Sequence, residues 1–441
     1  MRDLLLISIV IVAALAALRR PWIGVMLWTW ISLMNPHRYT YGFAYDAPIA
    51  LIAAIATLIG LLATTERESP FKGAGPVLLA LFMGWMTLSW LFGLDRADDQ
   101  EQWDKVMKID LMILVALVLL RTKTHIFILT WVCAASLALL GAKGGMFTIL
   151  HGGSYKVWGP DGSFIADNNH FALALVMTIP LVRFLQMQIN SKWGRHGLTL
   201  IMVLVAASAL GSHSRGGLLA LAAMSLLLWW RGRSRFAGGA VIIFVGLSLL
   251  AFMPDEWTNR MQTIEGYEED RSALGRFSAW WVAWNIGLHY PFGVGFNASR
   301  PELFALYSPY PELGTPAAHS IYFQVLGHHG FVGLFLFLMI LFTTWRAAAK
   351  VRRAAVGVPQ AQWASDLAGM CQTALFGYAV GGAFLSLAYF DLPYYLMVIV
   401  VLCHQWVKRE AWKTEELVKA AGWLRIPGMA APPVLGSMRK H

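Results

Sequence analysis

Residues 321–345 read IYFQVLGHHGFVGLFLFLMILFTTW, 25 positions without an Asp, Glu, Lys or Arg. As a helix rising 1.5 Å per residue, ~25 residues reach ~37 Å, more than the ~30 Å hydrocarbon core of a bilayer. This run therefore reads as a membrane-spanning helix.

The rest of the chain repeats the pattern. Apolar runs cover residues 4–18, 22–34, 47–63, 76–94, 106–120, 126–142, 171–187, 198–210, 218–230, 236–253, 370–388 and 392–407. The 441 residues are 57% hydrophobic and 14% charged, where a soluble domain carries about 25% charged residues. The strict alternation of an outer-membrane barrel strand is absent. The class is an all-α polytopic integral membrane protein. Several runs are short, so some are re-entrant or tilted, and the expected number of transmembrane helices is about 12. Cys133, Cys371 and Cys403 all lie inside apolar runs and read as core fillers, with neither disulfide nor metal-ligand spacing. The net charge of +10 comes from Lys and Arg in short loops. That is a topology signal rather than a nucleic-acid stripe.

Basic residues assign Arg19-Arg20, Arg121, Lys123, Lys192, Arg195, Arg231 to Arg235, 346–353 and the 408–441 tail to the inner side. Loops 36–46, 95–104, 143–170, 211–217 and 254–319 then face outward. The first run has no small-residue cleavage site and reads as retained. The organisation is thus helices with short loops over 1–253, a large outward loop over 254–319, helices over 320–407, and the tail.

Polar clusters gather at the outward ends of runs. They are Asn35-Pro36-His37-Arg38, Lys143-Gly144-Gly145, Asp167-Asn168-Asn169-His170 and Ser212-His213-Ser214-Arg215-Gly216-Gly217. The last is a hairpin tip between two short runs. A charge near bilayer depth costs about 2.5–3.5 kcal/mol on insertion scales and normally has a partner or a water-filled cavity. Arg215 reads as a ligand-facing cation whose glycines admit close approach; the plainer alternative is a snorkelling arginine beside a turn.

In the large loop, Arg271 and Arg276 precede Phe277-Ser278-Ala279-Trp280-Trp281-Val282-Ala283-Trp284, an aromatic belt suited to an interfacial helix. Arg276 is expected near that helix's first turn, beside free N–H groups that favour an anion; the alternative is a lipid anchor. His319 opens the 321–345 run, either as an interface residue or facing a cavity. His328 and His329 do not match the i, i+4 spacing of a helical zinc site, and no metal or cofactor is expected. Lys108 and Asp110 form a possible buried pair. Outward arginines could hold a diphosphate and neutralise it as a leaving group, and a histidine could take a proton from an attacking hydroxyl. With apolar helices to cradle a polyprenyl tail, the set points to glycosyl transfer from a lipid diphosphate.

Three motifs in order, Ser212 to Gly217, Gly275-Arg276-Phe277 to Gly295, and Ala318-His319-Ser320-Ile321-Tyr322 to Gly333, resemble the O-antigen ligase and polymerase superfamily of bacterial inner membranes. The Asn35 to Arg38 and Asp167 to His170 clusters resemble its subgroup of O-glycosylation ligases associated with exosortase systems. The resemblance implies a GT-C-like helical fold with short interfacial helices in a periplasmic loop, and a metal-independent, inverting glycosyltransferase. It would move a glycan from undecaprenyl diphosphate to lipid A–core on the periplasmic face. Arg215 and Arg276 match the diphosphate-binding arginines and His319 the essential histidine. Secondary positions are Arg271, Lys143, Asn168, Asn169, His170, Arg38 and His328. Many members carry a Glu in the helix after the histidine; here His328 stands instead, and Asp167 or Asp270 could orient His319. The expected partners are the donor, the acceptor and membrane lipids. An O-antigen polymerase or protein O-oligosaccharyltransferase differs only in acceptor; a transporter predicts broken helices at mid-bilayer and internal repeats.

Overall fold

The computed structural model describes residues 1–232, 235–252, 254 and 271–413. Among them the chain is helical and has no strand. The helices are α1 (Arg2–Arg19), α2 (Pro21–Met34), α3 (Ile49–Ala63), α4 (Ala74–Leu91), α5 (Arg96–Leu119), α6 (Lys123–Leu150), α7 (Asn168–Gln188) and α8 (Lys192–Gly211). They continue as α9 (Arg215–Arg231), α10 (Arg235–Phe252), α11 (Arg271–His289), α12 (Pro301–Tyr307), α13 (Ile321–Ala354), α14 (Gln362–Gly382) and α15 (Asp391–Lys408).

Five described helices, α4, α6, α7, α8 and α13, are long and apolar enough to cross a membrane, and α2 and α3 are shorter apolar helices. The chain is thus a multi-pass helical membrane protein. Apolar helices can face either lipid or protein in a membrane, so burial rather than hydropathy marks the centre of the bundle. In α7, 83% of the spanning window is buried, against 33% in α4. Residues 391–403 of α15 are buried without interruption. Around these two, α7 packs on α6, α8, α9 and α14, while α15 packs on α5, α6, α13 and α14.

Two expectations about loops and one about a buried pair are corrected. Residues 96–104, expected in the 95–104 loop, open α5, which Asp95 caps by accepting from Ala97 N–H and Asp98 N–H. Lys143 does not open a loop, because α6 continues to Leu150. The glycines beside it serve packing: a Cβ at Gly145 would lie 2.0 Å from Leu204 O, and one at Gly144 2.3 Å from Ser208 Oγ, both on α8. Lys108 and Asp110 do not pair either. Residues two apart occupy different helix faces, so Lys108 bonds Asp104 on the exposed side while Asp110 is turned inward, 2% exposed.

The run that reads as one continuous helix at 321–345 is broken. Gly330 has φ 65°, ψ −171°, so the first nine residues of α13 form a cap at an angle to the rest. A break leaves preceding carbonyls without their i+4 donors, and three of these are met from elsewhere. Val294 N–H donates to Gly327 O (3.3 Å), Gly295 N–H to His328 O (3.1 Å) and Trp85 Nε1 to His329 O (2.8 Å). The 291–297 turn approaches so closely that a Cβ at Gly293 would lie 2.2 Å from His328 O. The turn is itself tied to the start of α5. Phe296 N–H donates to Asp99 Oδ2 (2.9 Å), and Arg300 lies 3.3–3.9 Å from Asp99, Asp98 and Asp95. Burial raises the Asp99 proton affinity, opposed by the Phe296 N–H and Arg300.

Candidate active site

The site is built where the start of α11 comes near the N-termini of α7 and α13, with the N-terminal end of α9 packed beside α7. α8 stops at Gly211 and α9 begins at Arg215, so residues 212–214 form the expected hairpin tip. Ser214 caps α9, its hydroxyl accepting from Gly217 N–H at 3.0 Å, which satisfies a donor the first turn cannot use internally. His213 sits at φ 56° and its Nε2 donates to Gly153 O at 2.8 Å. The tip is buried, with Ser212 0% and Ser214 3% exposed. Gly216 and Gly217 prove to be packing residues. A Cβ at Gly216 would lie 3.2 Å from Phe384 and Leu385, in the segment after α14, and one at Gly217 would lie 2.7 Å from the Ala172 Cβ on α7, so the bare backbone of α9 packs closely on both.

Asn168, in the first turn of α7, donates from Nδ2 to Ser212 O at 2.6 Å and locks the tip to that helix. Asp167 caps α7, accepting from Asn169 N–H at 2.9 Å. The Asn168–His170 cluster, expected in a loop, thus opens a helix.

Arg276 is not in the first turn of its helix. α11 starts at Arg271, which puts Arg276 in the second turn, and the helix N-terminus expected for Arg276 belongs instead to Arg215, the first residue of α9. The Arg271 side chain and Asp270 lie outside the described residues. α11 supports the approach to His319. Trp280 Nε1 donates to Ala318 O at 2.7 Å and its ring stacks on Phe323 at 5.0 Å. Gly275 lets Pro316 approach, 3.4 Å from where a Cβ would stand.

His319 is held at φ 44°, a left-handed conformation uncommon outside glycine. Its Nδ1 is buried without a hydrogen-bond partner among the described residues. Burial, and then the nearby Arg276 guanidinium, lower its proton affinity, while the Asp167 carboxylate opposes them. The imidazole is therefore neutral near pH 7, the form that can accept a proton. His170 stands near enough for the two rings to repel when charged. The structure thus brings His319, Arg276, Asp167 and His170 together, with Arg215 following directly on the tip that Asn168 anchors.

Other expected positions lie apart. Arg38 stacks over Tyr45 (4.7 Å) and Lys143 over Tyr39 (4.6 Å), beside the loop that continues into Asp167. His328 lines a cavity of about 110 Å³ behind residues 316–318. Its Nδ1 is 2.8 Å from Tyr389 OH, which is also 2.8 Å from His329 Nε2. Trp280 reads in the sequence only as part of the aromatic belt, and Tyr389 gives no signal there, since each acts on a partner far along the chain.

The motifs on this framework agree with a family model. Residues 200–338 match the model described as O-antigen ligase. The chain carries an O-antigen ligase domain. Arg215, Arg276 and His319 all lie inside the matched stretch. Such a domain implies ligase- or polymerase-type function in glycan assembly, glycosyltransferase-like activity in broad terms, a lipid-linked glycan donor and a lipid acceptor. Residues 1–190, which include Asp167 and Asn168, match a family of unknown function, DUF5935. No curated protein matches the chain.

Proposed function

We propose that this protein is an O-antigen ligase of the bacterial inner membrane, transferring a glycan from undecaprenyl diphosphate to a sugar hydroxyl of lipid A–core on the periplasmic face. The observation that carries the reading is that His319 and Arg276, both within the O-antigen ligase domain, lie near each other and near Asp167 of the preceding stretch. His319 takes the proton of the acceptor hydroxyl. The hydroxyl oxygen attacks the anomeric carbon opposite the diphosphate, the new glycosidic bond forms as the bond to the diphosphate oxygen breaks, and configuration inverts. Undecaprenyl diphosphate leaves with both electrons of that bond, its charge met by Arg215 and Arg276, a role suited to planar guanidinium donors. Asp167 stabilises the protonated imidazole through its charge, in a chain where His328 stands in place of the Glu that many members carry in the following helix. The Asn35 to Arg38 and Asp167 to His170 clusters support the exosortase-associated subgroup, and the helical bundle is compatible with a GT-C-like membrane fold.

The test is transfer in vitro from undecaprenyl-diphosphate-linked glycan to lipid A–core, with EDTA present and products separated on a gel. Capped lipid A–core that disappears in His319→Ala, Arg215→Ala and Arg276→Ala variants, each still folded in membranes, supports the proposal. Glycan lengthening on the lipid carrier without capping would make the protein a polymerase. An active His319→Ala enzyme would remove the base assignment.

A further inference from the structure

The end of the bundle away from His319 holds two arginines that have no carboxylate partner among the described residues. α9 leaves the site at Arg215 and ends at Arg231, a helix of 17 residues, while α13 follows His319 and carries Arg352 in its last turn. Arg231 Nη1 donates to Gly369 O at 3.0 Å and Thr373 Oγ1 at 3.4 Å, and its guanidinium lies 5.5 Å from the Trp345 ring centroid. Arg352 Nη1 donates to Gln372 Oε1 at 3.1 Å, and Gln372 Nε2 donates in turn to Trp345 O at 3.1 Å. The two guanidinium groups meet over Gly369, where a Cβ would lie 3.7 Å from Arg352 Nε. Burial and the Arg352 charge bring the Arg231 pKa down to about 10, so Arg231 remains a cation at neutral pH. All these partners are neutral, and among the described residues neither arginine has an ion pair.

We infer that Arg231 and Arg352 form a site for a phosphate-bearing anion, namely the headgroup of an anionic phospholipid in the leaflet at that end. Like charges held close together repel, more strongly where burial limits their screening by water. Each arginine lies in the last turn of a helix, where the dipole offsets a small part of that repulsion; a shared anion offsets it directly. Each group bonds the protein through Nη1, which leaves further N–H donors in the planar fork that fits phosphate oxygens. Trp345 beside them is a residue type favoured at headgroup level, and basic pockets between helices bind such headgroups.

The test uses full-length protein in neutral detergent, titrated separately with phosphatidylglycerol, phosphatidylcholine and inorganic phosphate. It reads retained lipid by native mass spectrometry and the shift in thermal unfolding. Wild type is expected to retain phosphatidylglycerol and be stabilised by it, with no response to phosphatidylcholine. Arg352→Gln and Arg231→Gln should weaken that binding about tenfold or more, the scale of a lost charge-assisted contact. Arg346→Gln, which removes a cation placed over Phe342, should leave it unchanged. Equal phosphatidylglycerol binding by Arg352→Gln, or an equal response to phosphatidylcholine, would overturn the site. Stabilisation by inorganic phosphate to the same extent would overturn the lipid as its occupant. Since Arg352 is half-exposed, its variant keeps the test open if Arg231→Gln fails to fold.

Discussion

Trp280 holds the backbone immediately before His319: its indole N–H donates to Ala318 O at 2.7 Å. The left-handed conformation at His319 costs on the order of 1 kcal/mol or more and persists only where the surroundings enforce it. Trp280→Phe keeps a ring against Phe323 and removes the donor. A lost hydrogen bond of ~1 kcal/mol, fully expressed in the transition state, lowers the rate about five- to tenfold. We expect kcat for transfer to fall by that factor with donor KM little changed, measured from initial rates. An unchanged kcat would mean that the loop holds His319 without the indole.

Asp167 and Arg276 act on His319 with opposite sign. The proton affinity of His319 lies below the ordinary value of 6.5, so the acid limb of the rate profile should fall below pH 6.5. Asp167→Asn removes the carboxylate that raises it and should move the limb to still lower pH. Asparagine also caps helices well, so α7 should keep its start. A profile of kcat/KM against pH checks this; a limb that moves upward, or not at all, would separate Asp167 from the base.

Gly295 has φ 103°, and a Cβ there would lie 1.9 Å from Asp99 Oδ2. Gly295→Ala thus combines a disfavoured backbone with a collision against the carboxylate that holds Phe296. A loss of roughly 3 kcal/mol or more is expected. Gly84→Ala, on α4 with open space around the position, is the neutral comparison. Thermal unfolding of both variants in detergent decides the point, and similar midpoints would show that the 291–297 turn is adaptable.

Glu68 receives Arg409 through Nη1 at 2.7 Å and Nη2 at 2.5 Å, together with Lys72. The Arg409 hydrogen bonds hold its carboxyl at about 2, against an ordinary 4.5. A depressed carboxyl stabilises the fold above its unfolded value, and that contribution fades as pH falls from 4.5 toward 2. Glu68→Gln should show a smaller decrease in unfolding midpoint across this window. Because the cluster is partly exposed, its loss at neutral pH should cost no more than about 1 kcal/mol. Equal acid sensitivity in the two proteins would count against the pairing.

The sequence shows the membrane class and the polar positions of the site well, and the geometry poorly. Ser212 to Gly217 reads as a hairpin tip because basic residues flank both short runs, and the chain does turn there. The start of α11 at Arg271 does not follow from the aromatic belt, which begins only at Phe277, so Arg276 is misassigned by a turn. The break at Gly330 is equally hidden, since hydropathy carries no information on the sign of φ. Asp167 is a short-range cap by its local pattern. Its nearness to His319 depends on how α7 meets α13, which no local spacing encodes.

The lock on the Gly330 break comes from both matched stretches of the chain. Gly330 and the 291–297 turn belong to the O-antigen ligase domain, whereas Asp99, which fixes that turn, belongs to residues 1–190. The Asn168–Ser212 bond crosses the same boundary. Two segments that match separate families therefore interlock in one packed structure. A chimera that exchanged residues 1–190 for those of a distant relative would have to match the seat of Phe296 and the anchor of Ser212, or else lose the helix direction that carries His319.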